Sequence, residues 1–340
     1  EYVSGAFGKW HLGGKDYHPD KQGFDDSNVT HGWGHFFPPV KADPPINPPE
    51  GSFLSEVLTD QAERFMEENK DNPFCLYLSH FAVHIPLEAK KELIEKYEQK
   101  SKPESGINNP IYAAMIEHID NSVGRVLAKI DELGLRDDTI VFFFSDNGGL
   151  YERYDKADGV IVTTNEPLRD EKGTLYEGGI REPLIVRWHG KIKAGIECST
   201  PVTSVDFYPT FLECAGITGT ADYPLDGTSL VPLLTKQGNI DRDAIYWHYP
   251  HYHHSTPAGA IRYGDFKLLE FFEDGHLELY NLKDDIGEKN NLAEIMPDKA
   301  AELREKLVAW RESVKAELPN VNPDFDPQRR YEWGKHPGRL

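Results

Sequence analysis

The stretch 110–149 limits the possible folds more than any other. Tyr112, Met115, Ile116, Ile119, Val123, Val126, Leu127, Ile130 and Leu133 recur at helical spacing. One face of a helix from about Pro110 to Leu133 is therefore apolar. Gly134 is suited to end it, because glycine adopts the left-handed conformation of a helix C-cap at little cost. An apolar run of strand length, "TIVFFFS", follows almost at once. The same order occurs earlier: Val57, Leu58, Ala62, Phe65 and Met66 mark a helix over Ser55–Asn69, and "NPFCLYLSHF" follows as a buried strand. A third apolar run, "EPLIVRWHG", spans 182–190. Helices alternating with apolar runs predict an α/β domain whose mostly parallel or mixed central sheet is covered on both faces.

The character changes after about residue 240. "DAIYWHYP", "GAIRYGDFKLLEFF" and "HLELYNL" are closely spaced and strand-like, with Gly-Asp and Asp-Gly turn signals between them. They predict a small antiparallel sheet. A closing helix over Pro297–Leu318 places Leu303, Leu307, Trp310, Val314 and Leu318 on one face, with Asp298 as its cap. The division is thus 1–240 for the α/β domain and 241–340 for a C-terminal subdomain. Six prolines in 36–50 predict an extended surface loop.

Net charge is −20, so nucleic acid is a poor partner, because its phosphates need a basic face. An anionic substrate requires a local basic pocket working against that overall field. No apolar run approaches the length of a membrane span. The opening "EYVSGAFGKWHLGG" has no charged and apolar pattern of a signal peptide. Cys75 is expected as a small hydrophobe inside its strand; Cys198 and Cys214 have no metal-ligand spacing, and their pairing stays open.

Three apolar runs end in polar residues: His80 and His84, Asp146 and Asn147, and "RWHG". In open α/β sheets the carboxyl ends of strands are where ligands bind. An ordinary turn explains Asp146-Asn147-Gly148 equally well when taken alone. Lys172, in "LRDEKGTLYEGGIREP", stands beside Gly173, with Gly178 and Gly179 following; a lone lysine there is ordinarily solvated. "GKWHLGG" holds Lys9 and His11 between Gly8 and Gly13. Taken together, the lysines can hold a tetrahedral oxyanion, a histidine can protonate a leaving group, and the Asp-Asn oxygens suit a hard cation.

"GKWHLG", "HIP", "SDNGG", "KGTLYEGGIREP", "VDFYPTFLECAGI", "LDGTSLVPLL", "IRYGDFKLL" and "LYNLKDD" occur in one order along nearly the whole chain. In that order the chain resembles the type I, formylglycine-dependent sulfatases of the alkaline phosphatase superfamily, and bacterial polysaccharide sulfatases more than steroid-type enzymes. The resemblance implies calcium (Ca2+) ligation by Asp146 and Asn147. It implies that Lys9 contacts sulfate and formylglycine, that His11 bonds the formylglycine hydroxyl, and that Lys172 holds a sulfate oxygen. His84 is implied as the acid at the bridging oxygen, and His80 is left as a structural residue. The hydrated aldehyde would attack sulfur, the alcohol would leave with a proton from His84, and collapse would release sulfate.

The family's Cys/Ser-x-Pro-x-Arg nucleophile motif is absent: Cys198 has proline at the wrong distance, and Gly259 stands where arginine would follow Ser255-Thr256-Pro257. The aspartate pair that completes the family's calcium site is also missing. The expectation is a sulfatase chain that starts after its nucleophile, inactive alone, from a periplasmic or secreted parent acting on a sulfated carbohydrate. A phosphoesterase or phosphonate monoester hydrolase of the same superfamily, and a non-catalytic oxyanion-binding remnant, are the alternatives. "WHYPHYHH" (247–254) reads as a metal loop, a solvated aromatic loop or, the reading favoured here, a lining of the substrate pocket. His251, His253 and Arg169 are the candidate substrate contacts, with Arg262 as a further one.

Overall fold

In the computed structural model, which describes residues 2–30, 36–102, 107–151, 161–217, 223–236, 238–324 and 326, the chain divides into two units, Glu1–Thr139 and Ile140–Leu340. The first holds a mixed sheet of four strands: β1 (Val3–Lys9), β2 (Asp26–Thr30), β3 (Ala42–Asp43) and β4 (Phe74–Ser79), in the order β3-β2-β1-β4. β1 runs parallel to β2, with Lys9 opposite Thr30, and parallel to β4, with Gly8 opposite Ser79. β3 adds an antiparallel edge. Helix α1 (Leu54–Asn69) packs on β1 and β4, α3 (Pro110–Glu132) packs on α1, and α2 (Lys91–Glu98) packs on α3.

Phe7, Phe36, Phe53, Leu58, Phe65, Phe81 and Met115 form the core of this unit. Each such side chain removed from water contributes about 1.5–3 kcal/mol. One expectation is corrected. The β4 run is not buried throughout: Phe74, Leu76 and Leu78 pack on the core, while Cys75 and Tyr77, on the alternate face of the strand, are exposed. The proline-rich loop runs over the surface as expected, with residues 37–50 half-buried or exposed, and Phe36 at its start is fully buried and stacks on Phe53 at 5.3 Å.

In the second unit, β5 (Ile140–Phe144) pairs with β6 (Leu184–Trp188) in antiparallel register, Ile140 opposite Trp188, which belongs to the mixed rather than the mostly parallel form of the expected sheet. Apolar content marks a strand without marking its partner's direction. Phe142 and Phe144 pack on Phe207 and Phe211, with both of those rings on α5 (Phe207–Cys214), whereas Phe143 and Ile185 are exposed. Short helices α4 (Glu177–Ile180) and α6 (Val231–Leu234) lie in the connections.

The expected C-terminal antiparallel sheet is present: β7 (Ala244–Tyr249), β8 (Ala258–Tyr263), β9 (Phe266–Phe271) and β10 (Leu277–Asn281), in the order β10-β9-β8-β7. One cluster joins Ile261, Leu268 and Leu279 to Leu303 and Leu307 of α7 (Pro297–Ser313). A separate cluster joins Ala260, Leu269, Phe271 and Tyr280 to Leu175 and Tyr176. The sheet therefore has an apolar layer against α7 and another against the 175–176 segment. α7 stops short of the expected Leu318: Lys315 turns left-handed at φ 54°, the Ala316 N–H returns to the Arg311 carbonyl, and Val314 and Leu318 are exposed. Asp298 lies in the first turn rather than at the cap. All three cysteines are free.

Candidate active site

In the first unit the end of β1 presents Lys9. Gly8 has φ 116°, and a Cβ there would lie 1.9 Å from the Ser79 carbonyl oxygen, so only glycine lets β1 and β4 approach at this point. Ser79 Oγ donates to the Lys9 carbonyl at 2.5 Å. The Lys9 ammonium lies 5.1 Å from the centre of the Phe81 ring, a cation–π distance. The His84 ring lies 5.2 Å from that same ring. His84 Nδ1 is 2.7 Å from the Ile85 carbonyl, which can only accept, so Nδ1 carries a proton. Phe81 is thus a neighbour common to Lys9 and His84. His11 follows β1 exposed, in the left-handed region at φ 52°.

His80 lies in a hydroxyl chain instead: its Nε2 is 2.9 Å from Ser122 Oγ, which is 2.5 Å from Thr59 Oγ1. Burial pushes its ring down to about 4. These contacts agree with a structural residue.

In the second unit, the turn after β5 that carries Asp146 and Asn147 is locked to the turn that carries Lys172. Gly148 N–H donates to the Gly179 carbonyl at 3.2 Å, and Lys172 N–H to the Gly149 carbonyl at 3.4 Å. Asn165 joins the two, accepting from Gly149 N–H at 3.1 Å and donating to the carbonyls of Gly149 and Asp170. A Cβ at 148 would lie 1.7 Å from the Gly178 carbonyl oxygen, which explains why the first glycine of "SDNGG" meets those of "YEGG".

The oxygens here fit a hard cation in part. Asp146 offers a carboxylate and Asn147 a carboxamide; the Asn147 Nδ2 donates to the Gly148 carbonyl at 2.9 Å, so Oδ1 need not serve that bond. Glu182 Oε1 is buried with no hydrogen-bond partner. Burial, together with the negative charge of Asp146, pushes the Glu182 carboxyl up to about 8. Oxygens in this setting suit calcium, but calcium takes about six to eight of them. Among the described residues no group of three or more His, Cys, Asp or Glu side chains is placed to hold an ion unaided.

The histidine-rich loop joins β7 to β8. His254 Nδ1 is 2.6 Å from the Lys172 carbonyl and 3.4 Å from the buried Glu171 carboxylate. His253 stacks on His254 at 4.2 Å, and its ring Nδ1 stands 1.9 Å from where a Gly173 Cβ would be. Desolvation of the ring, with the Lys172 ammonium nearby, lowers the pKa of His253. His251 is exposed and meets Tyr249 edge-on at 5.5 Å.

Arg169 is held by the fold: its guanidinium covers the Tyr176 ring at 3.9 Å and donates to Tyr280 Oη at 2.8 Å and to the Glu288 carbonyl at 2.9 Å. Arg262 lies 3.7 Å from Glu177. Glu177 in turn pairs at 3.0 Å with the fully buried Lys267, which also pairs with Glu288 at 2.9 Å. Glu177, Lys267, Glu288, Glu171 and Glu182 escaped the sequence reading, and His254 entered it only as part of the 247–254 loop. Each looks like an ordinary surface charge in one dimension, and only "YEGG" hinted that a carboxylate would be enclosed among glycines.

A family model described as sulfatase matches residues 1–217, and one described as N-sulphoglucosamine sulphohydrolase, C-terminal, matches 170–313. A sulfatase of Formosa agariphila is 33% identical over 284 residues, which cover 76% of this chain and 50% of the relative. The N-acetylgalactosamine-6-sulfatase of Homo sapiens is 31% identical over 268 residues, covering 72% and 48%. The chain spans about half the length of these curated relatives. Among solved structures, Ps i-CgsB in complex with k-i-k-neocarrahexaose superposes with a TM-score of 0.78 at 28% identity, covering 91% of this chain and 71% of that one. A protein solved with its substrate D-glucosamine-2-N,6-O-disulfate shares the fold, with a TM-score of 0.76 at 24% identity over 94% of this chain and 81% of that one.

Proposed function

The chain belongs to the sulfatase family, and from this premise we propose that it carries the sulfate-handling residues of a sulfuric ester hydrolase acting on a sulfated carbohydrate. The observation that carries the reading is the locked pair of turns that sets Asp146 and Asn147 beside the Lys172 segment. The names and bound saccharides of the relatives support a sugar sulfate as the substrate class. The tyrosines and histidines of 247–254 suit such a ligand, since aromatic rings stack on sugars while imidazoles meet hydroxyl and sulfate oxygens. His251 and His253 are the proposed contacts there. Arg169 acts first as the clamp of its own loop, and only the exposed edge of its guanidinium is left for substrate.

In this reading Lys9 and Lys172 offset the charge on the sulfuryl oxygens. The S–O bond to the sugar would break as an oxygen of the nucleophile bonds to sulfur, and the leaving oxygen would take a proton from His84 in its doubly protonated form, its ring oriented through Nδ1. His11 serves the hydroxyl of the nucleophile. Sulfatases of this family generally bind a metal; here calcium, held in part by Asp146 and Asn147, would supply Lewis-acid stabilisation of the sulfate. The nucleophile is a formylglycine made from a Cys/Ser-x-Pro-x-Arg segment, a motif that does not occur within these 340 residues. The functional division is kept after residue 240, ahead of the antiparallel sheet. Among the described residues no helix is long and apolar enough to cross a membrane. A periplasmic or secreted setting is proposed from the family alone.

The test is a polypeptide that adds the modified nucleophile segment to this chain, assayed on sulfated oligosaccharides, an aryl sulfate and a phosphonate monoester. Sulfate release that is lost in Lys172→Ala and His84→Ala supports the reading. Preference for the phosphonate overturns the substrate class. Sulfate release by the 340-residue chain alone that survives Lys9→Ala overturns the chemistry.

A further inference from the structure

The Lys172 turn has little regular structure of its own. No helix or strand includes residues 163–176. The backbone N–H of Lys172 makes only a long bond, 3.4 Å, to Gly149. A side chain meant to hold an anion needs its backbone fixed, because a loosely placed ammonium must be ordered again each time it binds. The firm contact comes from 82 residues away: His254 Nδ1 at 2.6 Å from the Lys172 carbonyl. That oxygen is an acceptor, so Nδ1 carries the proton and its donation does not depend on the charge of the ring. Glu171, fully buried, lies 3.4 Å from the same nitrogen and also accepts from Tyr151 N–H. The Glu171 carbonyl is held in turn by Thr174 Oγ1 at 2.9 Å.

The next residue is fixed sterically. Gly173 has φ 85°, and the His253 ring fills the space in which any other residue would place its Cβ. Stacking of His253 on His254 makes the two rings one wedge, inserted from the β7–β8 loop against the 171–173 backbone. We propose that His254 and Glu171 are positioning residues for Lys172, and that this wedge makes anion binding at Lys172 depend on the C-terminal sheet. The proposal rests on the reading of Lys172 as a sulfate-holding residue.

Calorimetric titration of the 340-residue chain with inorganic sulfate tests it. His254→Ala should weaken sulfate binding about tenfold, the size expected when one buried hydrogen bond and its ordering effect are lost. His254→Asn places an amide N–H where Nδ1–H stands and should recover affinity to within about threefold, whereas His254→Gln, with its amide one bond farther out, should not. A residue that served only to keep the chain folded would not separate Asn from Gln in binding while their unfolding midpoints agree. If His254→Ala does not fold, the Asn and Gln pair decides. Equal binding by those two variants, with binding lost in Lys172→Ala, overturns the positioning role and leaves the reading of Lys172 intact. Sulfate binding unchanged in Lys172→Ala, or absent from the unsubstituted chain, removes the premise and the proposal with it.

Discussion

The Lys9 ammonium lies 5.1 Å from the centre of the Phe81 ring, the same ring that His84 meets at 5.2 Å. One buried aromatic side chain thus neighbours a cation and an imidazole that lie 75 positions apart in sequence. Phe81 is a core residue, 6% exposed, in contact with Phe36. Phe81→Leu should cost about 1 kcal/mol of stability, as a hydrophobic swap of altered shape usually does. In the polypeptide that carries the nucleophile, it should lower kcat by tenfold or more, since a misplacement near 1 Å can cost about a hundredfold. Unchanged kcat at reduced stability would separate packing from catalysis and count against the shared-ring arrangement.

The buried His80 makes stability depend on pH. Its ring titrates near 4 in the fold against 6.5 in an unfolded chain. Above 6.5 the ring is neutral in both states and contributes no pH dependence. As pH falls from 6.5 towards 4, the unfolded chain binds a proton that the folded chain refuses, so stability falls, by at most about 3 kcal/mol. Urea denaturation at stepped pH should show this slope in the wild type, and His80→Gln should flatten it. An equal slope in that variant would assign the effect to other groups.

Lys267 sits between Glu177 and Glu288 with all three side chains essentially enclosed. Lys267→Met should destabilise the chain by about 3–5 kcal/mol, because removing one partner leaves buried carboxylates uncompensated. Denaturant midpoints measure this directly. Lys267→Met with Glu177→Gln should recover part of the loss, and a double variant no better than the single one would refute the electrostatic origin.

Calcium should stabilise the chain even without turnover. At a concentration tenfold above Kd, linkage contributes about 1.4 kcal/mol, a rise of a few degrees in the unfolding temperature. Asp146→Ala should abolish the rise. A thermal transition indifferent to millimolar calcium in the unsubstituted chain would show that Asp146 and Asn147 do not form a usable site by themselves.

The sequence by itself determined the long helix 110–132, the strand that follows it, the four-stranded antiparallel sheet and the glycines that let backbones touch, because these depend on local periodicity and on steric rules that act within a few residues. The same locality made Lys9, His84, Asp146, Asn147 and Lys172 legible as candidates, each at the end of an apolar run or beside a glycine. Only the tertiary structure decided that β6 runs antiparallel to β5, that Arg169 spends its guanidinium on Tyr176, Tyr280 and Glu288, and that His254 reaches the Lys172 carbonyl. Those outcomes depend on which distant groups meet once water is excluded. A buried donor must find an acceptor wherever the chain brings one, and neither charge nor spacing along the sequence records where that will be.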